Sequence, residues 1–369
     1  MRDAGNDARD AGSEVADSGV RDGGAPRDGG PSRDGGPAEI DVNGVVIDSD
    51  GFPLQGITVF IAGAAPVTTN VGGEFTIAGV TPPYDVLLVR AAQSEGTLWV
   101  GLTRDDPTLA SFFLLPRVNN AALSGNLVTG RGSDYIAYGS ASYRVEVGMM
   151  STSNITMETV DAASVSGTFV GANATDLAEV NAQLFFFEGG SYSLGRNETS
   201  DTTFDLAFPN ITGARASIQA TALGAMPGTG VIAVRTGLAI PSADIEVDMT
   251  SLSPPVHDRP VQGGTFTAGT TMSWTPTPGA VHLFVLRPTD FNSTSAGVRV
   301  ITAGSSAAVP DLSPYGPMYG TAEAYTWTLQ AIGNANVDEL ADGATLPDVS
   351  AGRRDAIVLV GGSRPLMTP

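Results

Sequence analysis

The sequence predicts an all-β protein with three β-sandwich units in tandem after a disordered N-terminal tether. Apolar residues alternate with polar ones over short segments, as at Tyr325, Trp327 and Leu329, which is the pattern of strands with one buried face. Glycine and proline, 46 and 24 of the 369 residues, punctuate these segments, as in sandwiches. Residues 1–37 contain almost no apolar side chains, so they cannot bury a core.

The predicted tether, residues 1–37, is built on a short repeat. Arg-Asp followed by Ala-Gly or Gly-Gly begins at Arg2, Arg9, Arg21, Arg27 and Arg33. A flexible chain of this length has a root-mean-square reach of about 30–37 Å. The segment resembles the spacer behind the lipid-bearing cysteine of myxobacterial surface lipoproteins. That resemblance implies a signal peptide and lipidated cysteine upstream of Met1 and a cell outer-surface or extracellular location; the alternative is a free-standing soluble protein.

Charge and composition exclude several function classes. The net charge is −20, and all 19 basic residues are arginine, so we expect no nucleic-acid partner, because a phosphate backbone would be repelled. The chain has no cysteine and no lysine, which excludes thiol chemistry, Schiff-base chemistry and cysteine-ligated zinc. It has no run of 18 apolar residues, so no transmembrane segment is predicted.

The first unit, residues 38–117, carries a specific pattern of turn and strand residues. Gly56 and Pro53 lie in a tight connection before a strand, and Gly72-Gly73 predicts a hairpin turn between Thr68 and Phe75. The unit resembles the carboxypeptidase regulatory-like domain, a transthyretin-like sandwich, which implies a non-catalytic accessory module. The residues that carry the resemblance are Gly44, Val46, Asp48, Gly51, Pro53, Leu54, Gly56, Val59, Thr69, Gly73, Phe75, Ile77, Val80, Tyr84 and Val86.

The middle unit, residues 118–252, resembles no family that we can name. Apolar residues alternate at Phe204, Leu206 and Phe208, which predicts a strand. We interpret residues 165–221 as a degenerate repeat of the first unit, with strands at 182–187, 204–208 and 216–222. A helical turn or two is predicted at 176–183 and again at 337–341.

The last unit, residues 253–369, begins after Ser253-Pro254-Pro255. Residues 256–362 resemble a fibronectin type III-like domain through the segments 272–276 and 325–331. The resemblance implies that Trp274 fills the core between the two sheets and that Tyr325 forms a tyrosine corner. The tail departs from the usual final hairpin, and residues 356–360 are predicted as the closing strand.

Candidate chemistry is sparse. No catalytic residue is predicted: His257 lies in a proline-rich link and His282 in a strand, and we expect both to be structural. Calcium needs clustered oxygen ligands on a sharply turning loop, although Asx-rich turns are also common without a metal. The calcium candidates are Asp48 and Asp50 before a glycine, and Asn334, Asn336 and Asp338, which are spaced like the first three ligands of a calcium loop. Neither set is complete. In the second, Glu339 stands where a calcium loop needs glycine, and Thr345 stands where it needs glutamate. No other cofactor is expected.

These observations favour a non-enzymatic cell-surface or secreted protein that presents sandwich domains to an envelope or extracellular protein or polysaccharide. A second hypothesis is a polysaccharide-active enzyme, or an accessory subunit, that uses Asp or Glu of the middle unit. Paired carboxylates have no local motif, and 39 acidic residues are available. A third is a structural spacer without a ligand.

Overall fold

Strands dominate the computed structural model, which describes residues 38–48, 53–111, 123–131, 137–145, 154, 156, 158–171, 177–186, 191–197, 201–224, 228–249, 253–290, 292–333, 335–342 and 355–369. Within these ranges it contains 24 strands, two short 3-10 turns and one four-residue α-helix. The predicted all-β class is therefore confirmed. No helix in the described ranges is long and apolar enough to cross a membrane. The predicted tether lies outside the described residues.

Seven strands form the first sandwich. One layer has the order β4-β1-β7, with β1 antiparallel to β4 and parallel to β7, and the other has the order β6-β5-β2-β3. Val59, Ile61, Phe75 and Ile77 are buried in one core. The strands are β1 (Ile40–Ile47), β2 (Thr58–Ile61), β3 (Val67–Thr68), β4 (Glu74–Val80), β5 (Tyr84–Arg90), β6 (Glu95–Leu102) and β7 (Thr108–Ala110).

The turn between β3 and β4 is not the predicted hairpin. β3 pairs with β2 and β4 pairs with β1, so the chain crosses here from one layer to the other. Asn70 holds the turn, since its Oδ1 accepts hydrogen bonds from the amides of Gly72 and Glu74 at 2.9 and 3.0 Å. Gly73 has φ +73°, and a Cβ there would lie 2.5 Å from the carbonyl oxygen of Val46. This close approach requires glycine.

The middle region contains a small sheet and a sandwich. The first is a small sheet with the order β10-β9-β8, built from β8 (Leu123–Arg131), β9 (Ala137–Val145) and β10 (Glu158–Thr159). The second part is a sandwich with layers β14-β11-β17 and β13-β12-β15-β16. Its strands are β11 (Ala162–Val170), β12 (Leu177–Phe186), β13 (Ser191–Asn197), β14 (Thr203–Pro209), β15 (Ala214–Leu223), β16 (Thr229–Leu238) and β17 (Ser242–Asp248).

The first and second sandwiches share one topology, strand for strand. As β1 does with β4 and β7, β11 pairs antiparallel with β14 and parallel with β17. The helical turn predicted at 176–183 is wrong for residues 177–183, which belong to β12. Val180, Ala182 and Leu184 are buried in the sandwich core, and this period of two is the reason that the segment is a strand.

The third sandwich has layers β18-β19-β22 and β24-β23-β20-β21. Trp274, Tyr325 and Trp327 are among the largest side chains of its core. The predicted helical turn near 337 is present as α1. The elements are β18 (Val256–Arg259), β19 (Thr271–Thr275), β20 (Val281–Pro288), β21 (Gly297–Thr302), β22 (Ser306–Ala308), β23 (Ala324–Gly333), α1 (Val337–Leu340) and β24 (Ala356–Met367).

One sheet passes through all three sandwiches. β24 pairs antiparallel with β16 of the second sandwich, and β21 pairs parallel with β6 of the first. The result is a twelve-stranded sheet in which the third sandwich lies between the other two. We call it the shared sheet. Strand edges that would otherwise offer unpaired backbone groups are thereby paired.

The middle of the shared sheet is covered on both faces. Phe284 and Leu286 of β20 point into the core of the third sandwich. Val281 and Leu283 precede them on β20 and belong to the core of the first sandwich, so that core extends over the opposite face of β20. Farther along β20 this cover ends, because Val285 is partly buried and Arg287 is exposed.

Candidate binding site on the shared sheet

Polar side chains gather where the cover of the shared sheet ends. The backbone pairing places Arg299, Val285, Thr328 and Ser363 in one row across β21, β20, β23 and β24. The sequence neighbours of Arg299, Val285 and Thr328 point into the third core, so these three side chains lie on the opposite face because side chains alternate along a strand. Those core neighbours are Val298, Val300, Phe284, Leu286, Trp327 and Leu329.

A cavity of about 350 Å³ lies over this row. Arg287 and Gln330 line it together with Arg299 and Thr328, and Val285 belongs to the same wall. Arg287 is a diagonal cross-strand neighbour of Arg299, a relation that places two residues about 7–8 Å apart with their Cβ atoms somewhat closer. The other lining residues are Gly228, Val360, Gly362 and Ser363.

The charges at the cavity influence one another. Burial lowers the pKa of Arg299 to about 10, Glu95 raises that pKa, and the neighbouring Arg287 lowers it. Burial raises the pKa of the Glu95 carboxyl to about 7, against the effect of Arg299 and Arg90. Two guanidinium groups thus face one cavity, and one half-buried carboxyl stands beside Arg299.

Several groups of the cavity are available to a ligand. In the described part of the chain, no hydrogen bond or ion pair joins the side chains of Arg287, Thr328 or Gln330 to a neighbour. A guanidinium donates up to five hydrogen bonds, and an amide both donates and accepts. The wall therefore combines positive charge with hydrogen-bonding groups of both kinds.

No sequence motif predicts this site. Neither Arg287 nor Arg299 belongs to a motif, and they are separated by a loop. The available signal was alternation: Arg299 stands between Val298 and Val300, so it had to point away from the core that these valines enter. The pairing of β20 with β21 brings the two arginines together.

Two calcium candidates, Asn336 and Asp338, lie where α1 meets the first sandwich. Asn336 caps α1: its Oδ1 accepts a hydrogen bond from the backbone amide of Glu339 at 2.9 Å, and its backbone amide donates to Glu339 Oε2 at 3.0 Å. Asp338 Oδ1 accepts from the Thr103 amide at 2.9 Å, and its Oδ2 accepts from the Thr103 hydroxyl. The Asp338 carbonyl accepts from Arg104 at 3.0 Å.

This junction joins the third sandwich to the first. The Thr108 amide donates to the carbonyl oxygen of Ala341 at 2.7 Å, and the Tyr84 hydroxyl donates to the Arg104 carbonyl at 2.5 Å. Burial and the nearby Asp338 raise the pKa of Tyr84. A hollow of about 430 Å³ lies beside α1. The oxygens of Asn336 and Asp338 thus already have protein partners.

The remaining calcium candidates are apart from this junction. Asp48 is buried at the end of β1, whereas Asp50 and Asn334 lie outside the described residues. Within the described ranges, no three His, Cys, Asp or Glu side chains are grouped so that they could hold a metal ion. Calcium binding stays a prediction of the sequence.

Both histidines lie in the third sandwich. His257 is part of β18, not of a link, and is 5% exposed, with its ring edge-on to Trp327 at 4.2 Å between ring centroids. His282 is 1% exposed, and its Nε2 accepts a hydrogen bond from the Thr277 amide at 3.0 Å. Burial is the main cause that lowers the pKa of each histidine to about 4, so both rings are neutral at pH 7.

Comparisons with known proteins give little. No protein-family model matches the chain, and no curated protein matches it. Among solved structures, trypsin-activated alpha-2-macroglobulin from Escherichia coli aligns over 90% of this chain with 9% identity and a TM-score of 0.14. The chain spans about a quarter of that protein's length, since the alignment covers 24% of it.

Proposed function

We propose that this chain is a non-enzymatic binding protein of the cell surface or the extracellular space, whose three sandwiches form one rigid platform for a polysaccharide or protein ligand. One observation carries the proposal: the shared sheet joins the sandwiches through β16–β24 and β21–β6. Relative motion is the default expectation for linked modules, and backbone pairing between modules limits that motion, so the pairing favours a fixed binding surface that spans them.

The domain assignments support this proposal. The first sandwich is proposed as a carboxypeptidase regulatory-like module and the second as its repeat, because both have the same strand order and sense. The third is proposed as a fibronectin type III-like module. In it the Gly320 amide donates to the Tyr325 hydroxyl at 3.3 Å, five residues upstream of Tyr325, which resembles a tyrosine corner.

The position of the histidines also supports a non-enzymatic role. General acid–base catalysis at neutral pH is most often carried by histidine. Here both of the chain's histidines are packed against tryptophans of the third core, with centroid distances of 4.2 and 5.7 Å. The Arg-Asp-Gly repeat of the predicted tether supports the proposed surface location.

Measurements of binding, cleavage and cellular location test the proposal on the full chain. The purified protein is applied to an array of envelope and matrix glycans and used to capture envelope proteins, and each bound glycan is then incubated with the protein and checked for cleavage. We expect binding without cleavage. Glycan cleavage that a single Asp→Asn change abolishes would instead favour a polysaccharide-active enzyme. Recovery of the native protein in the cytoplasmic fraction would contradict the proposed location.

A further inference from the structure

We infer that the cavity beside Arg287 and Arg299 binds the carboxylate of a uronic-acid residue in an acidic polysaccharide. This inference rests on the proposed function and deepens it, because it names the ligand class and the residues that recognise it. The cavity is formed by four central strands of the shared sheet, β20, β21, β23 and β24, which the third sandwich holds in place.

The charges at the cavity indicate that its ligand carries an anionic group. The chain has a net charge of −20, yet two guanidinium groups from neighbouring strands face one cavity, and the charge of Arg287 disfavours the charge of Arg299. A carboxylate between them would remove that repulsion. Arginine pairs with a carboxylate through two parallel hydrogen bonds. Because Arg299 is half-buried, its attraction to an anion is screened less than that of a fully exposed charge.

The rest of the wall fits a sugar ring. The amide of Gln330 and the hydroxyls of Thr328 and Ser363 can donate to and accept from sugar hydroxyls. Val285 and Val360 supply apolar surface for the C–H groups of a ring. The volume of about 350 Å³ lies in the range of small-molecule sites, which exceeds what a bare anion fills.

An acidic peptide fits less well. Extended peptides are commonly bound through main-chain hydrogen bonds to the free edge of a sheet. The strands that form this cavity are interior strands of the shared sheet, each paired on both sides. A peptide would find side chains here but no strand edge. Nucleic acid is disfavoured because the overall charge of the chain repels a phosphate backbone.

The test measures binding of short oligogalacturonates to the full chain by titration calorimetry at low salt and pH 7. The comparison ligands are uncharged galactose oligomers of the same length, oligoglutamate and inorganic phosphate. Arg287→Gln is the main variant, because Arg287 is exposed and its loss leaves the core intact. Arg215→Gln is the matched control, since Arg215 is an exposed arginine on β15 of the second sandwich.

We expect oligogalacturonate to bind the native chain. Arg287→Gln should weaken this binding about 10- to 100-fold, as the loss of a charged hydrogen bond does. Arg215→Gln should change it less than about twofold. Unchanged urea midpoints would show that both variants are folded. Equal affinity for oligoglutamate or phosphate would overturn the sugar assignment. Equal weakening by both variants would mean non-specific attraction and would also overturn it.

The outcomes also separate this inference from the proposed function. If a glycan binds but Arg287→Gln leaves its affinity unchanged, the chain is a binding protein whose site lies elsewhere, and only the inference fails. If neither a glycan nor an envelope protein binds the native chain, the proposed function and the inference fail together.

Discussion

The buried His282 should make the protein less stable in mild acid. Its Nε2 accepts the Thr277 amide hydrogen, so this nitrogen carries no proton in the native state. After protonation, the N–H of His282 Nε2 would face the N–H of Thr277, and no hydrogen bond could form between them. Protonation would also place a charge in the core, since His282 is only 1% exposed. These costs agree in direction with the lowering of the His282 pKa from 6.5 to about 4, for which burial is the main cause.

The expected magnitude follows from proton linkage. Between pH 6.5 and pH 4 the unfolded chain binds a proton at this residue and the folded chain does not, so stability falls as the pH falls through that window. From pH 7 to pH 5 the loss is about 2 kcal/mol for His282, a large fraction of the typical 5–15 kcal/mol of a folded domain.

His257 and Glu95 also change the pH profile of the whole protein. His257 acts in the same direction, since its pKa is lowered to about 4. Glu95 acts oppositely: its pKa is raised from 4.5 to about 7, so acidification over that range favours the folded state. A single pH profile therefore does not isolate His282, and the measurement must be a difference between two proteins.

The assay compares the native chain with His282→Gln, whose amide oxygen can accept the Thr277 hydrogen bond without titrating. Urea unfolding is followed by fluorescence of the three tryptophans at pH 7 and pH 5. The drop in unfolding free energy should be smaller in the variant by about 2 kcal/mol. His257 and Glu95 are present in both proteins, so their contributions cancel in this comparison. Identical drops in the two proteins would therefore refute the role of His282.

Three further predictions concern other parts of the molecule. Oligogalacturonate should bind more tightly at pH 6 than at pH 8, because protonation of Glu95 removes a negative charge beside Arg299. The Glu95→Gln variant should bind it equally at both pH values by calorimetry. A pH dependence that the variant retains would exclude Glu95 as its cause. Trp274→Ala should lower the free energy of unfolding by about 3–5 kcal/mol through the cavity it leaves, measured by urea unfolding, and a loss below 1 kcal/mol would mean that this core is not formed. Asp338→Ala removes the carboxylate that accepts hydrogen bonds from the amide and hydroxyl of the exposed Thr103 and should cost about 0.5–1.5 kcal/mol with faster amide exchange in β6 and β7; unchanged exchange would mean that α1 does not brace the first sandwich.

The fold class could be predicted from the sequence because side-chain alternation is a local property of a strand. In the third sandwich Tyr325, Trp327 and Leu329 are buried and the residues between them are less so, as the pattern predicted. In the second sandwich Phe204 and Phe208 are buried. The hairpin predicted at Gly72-Gly73 is wrong for a related reason. Two glycines indicate a turn, but they do not determine which layer the next strand joins.

The sequence by itself therefore determined that the chain is all-β, that its composition changes after residue 37, and which side chains enter a core in strands with clear alternation, such as β14 and β23. The tertiary structure alone decided that β24 pairs with β16 and β21 with β6, so that the third sandwich lies between the first two. The choice of a strand's neighbour depends on edges that are far apart in the chain, and no local pattern encodes it. The same pairing brings Arg287 to Arg299, so the candidate site is a product of strand register.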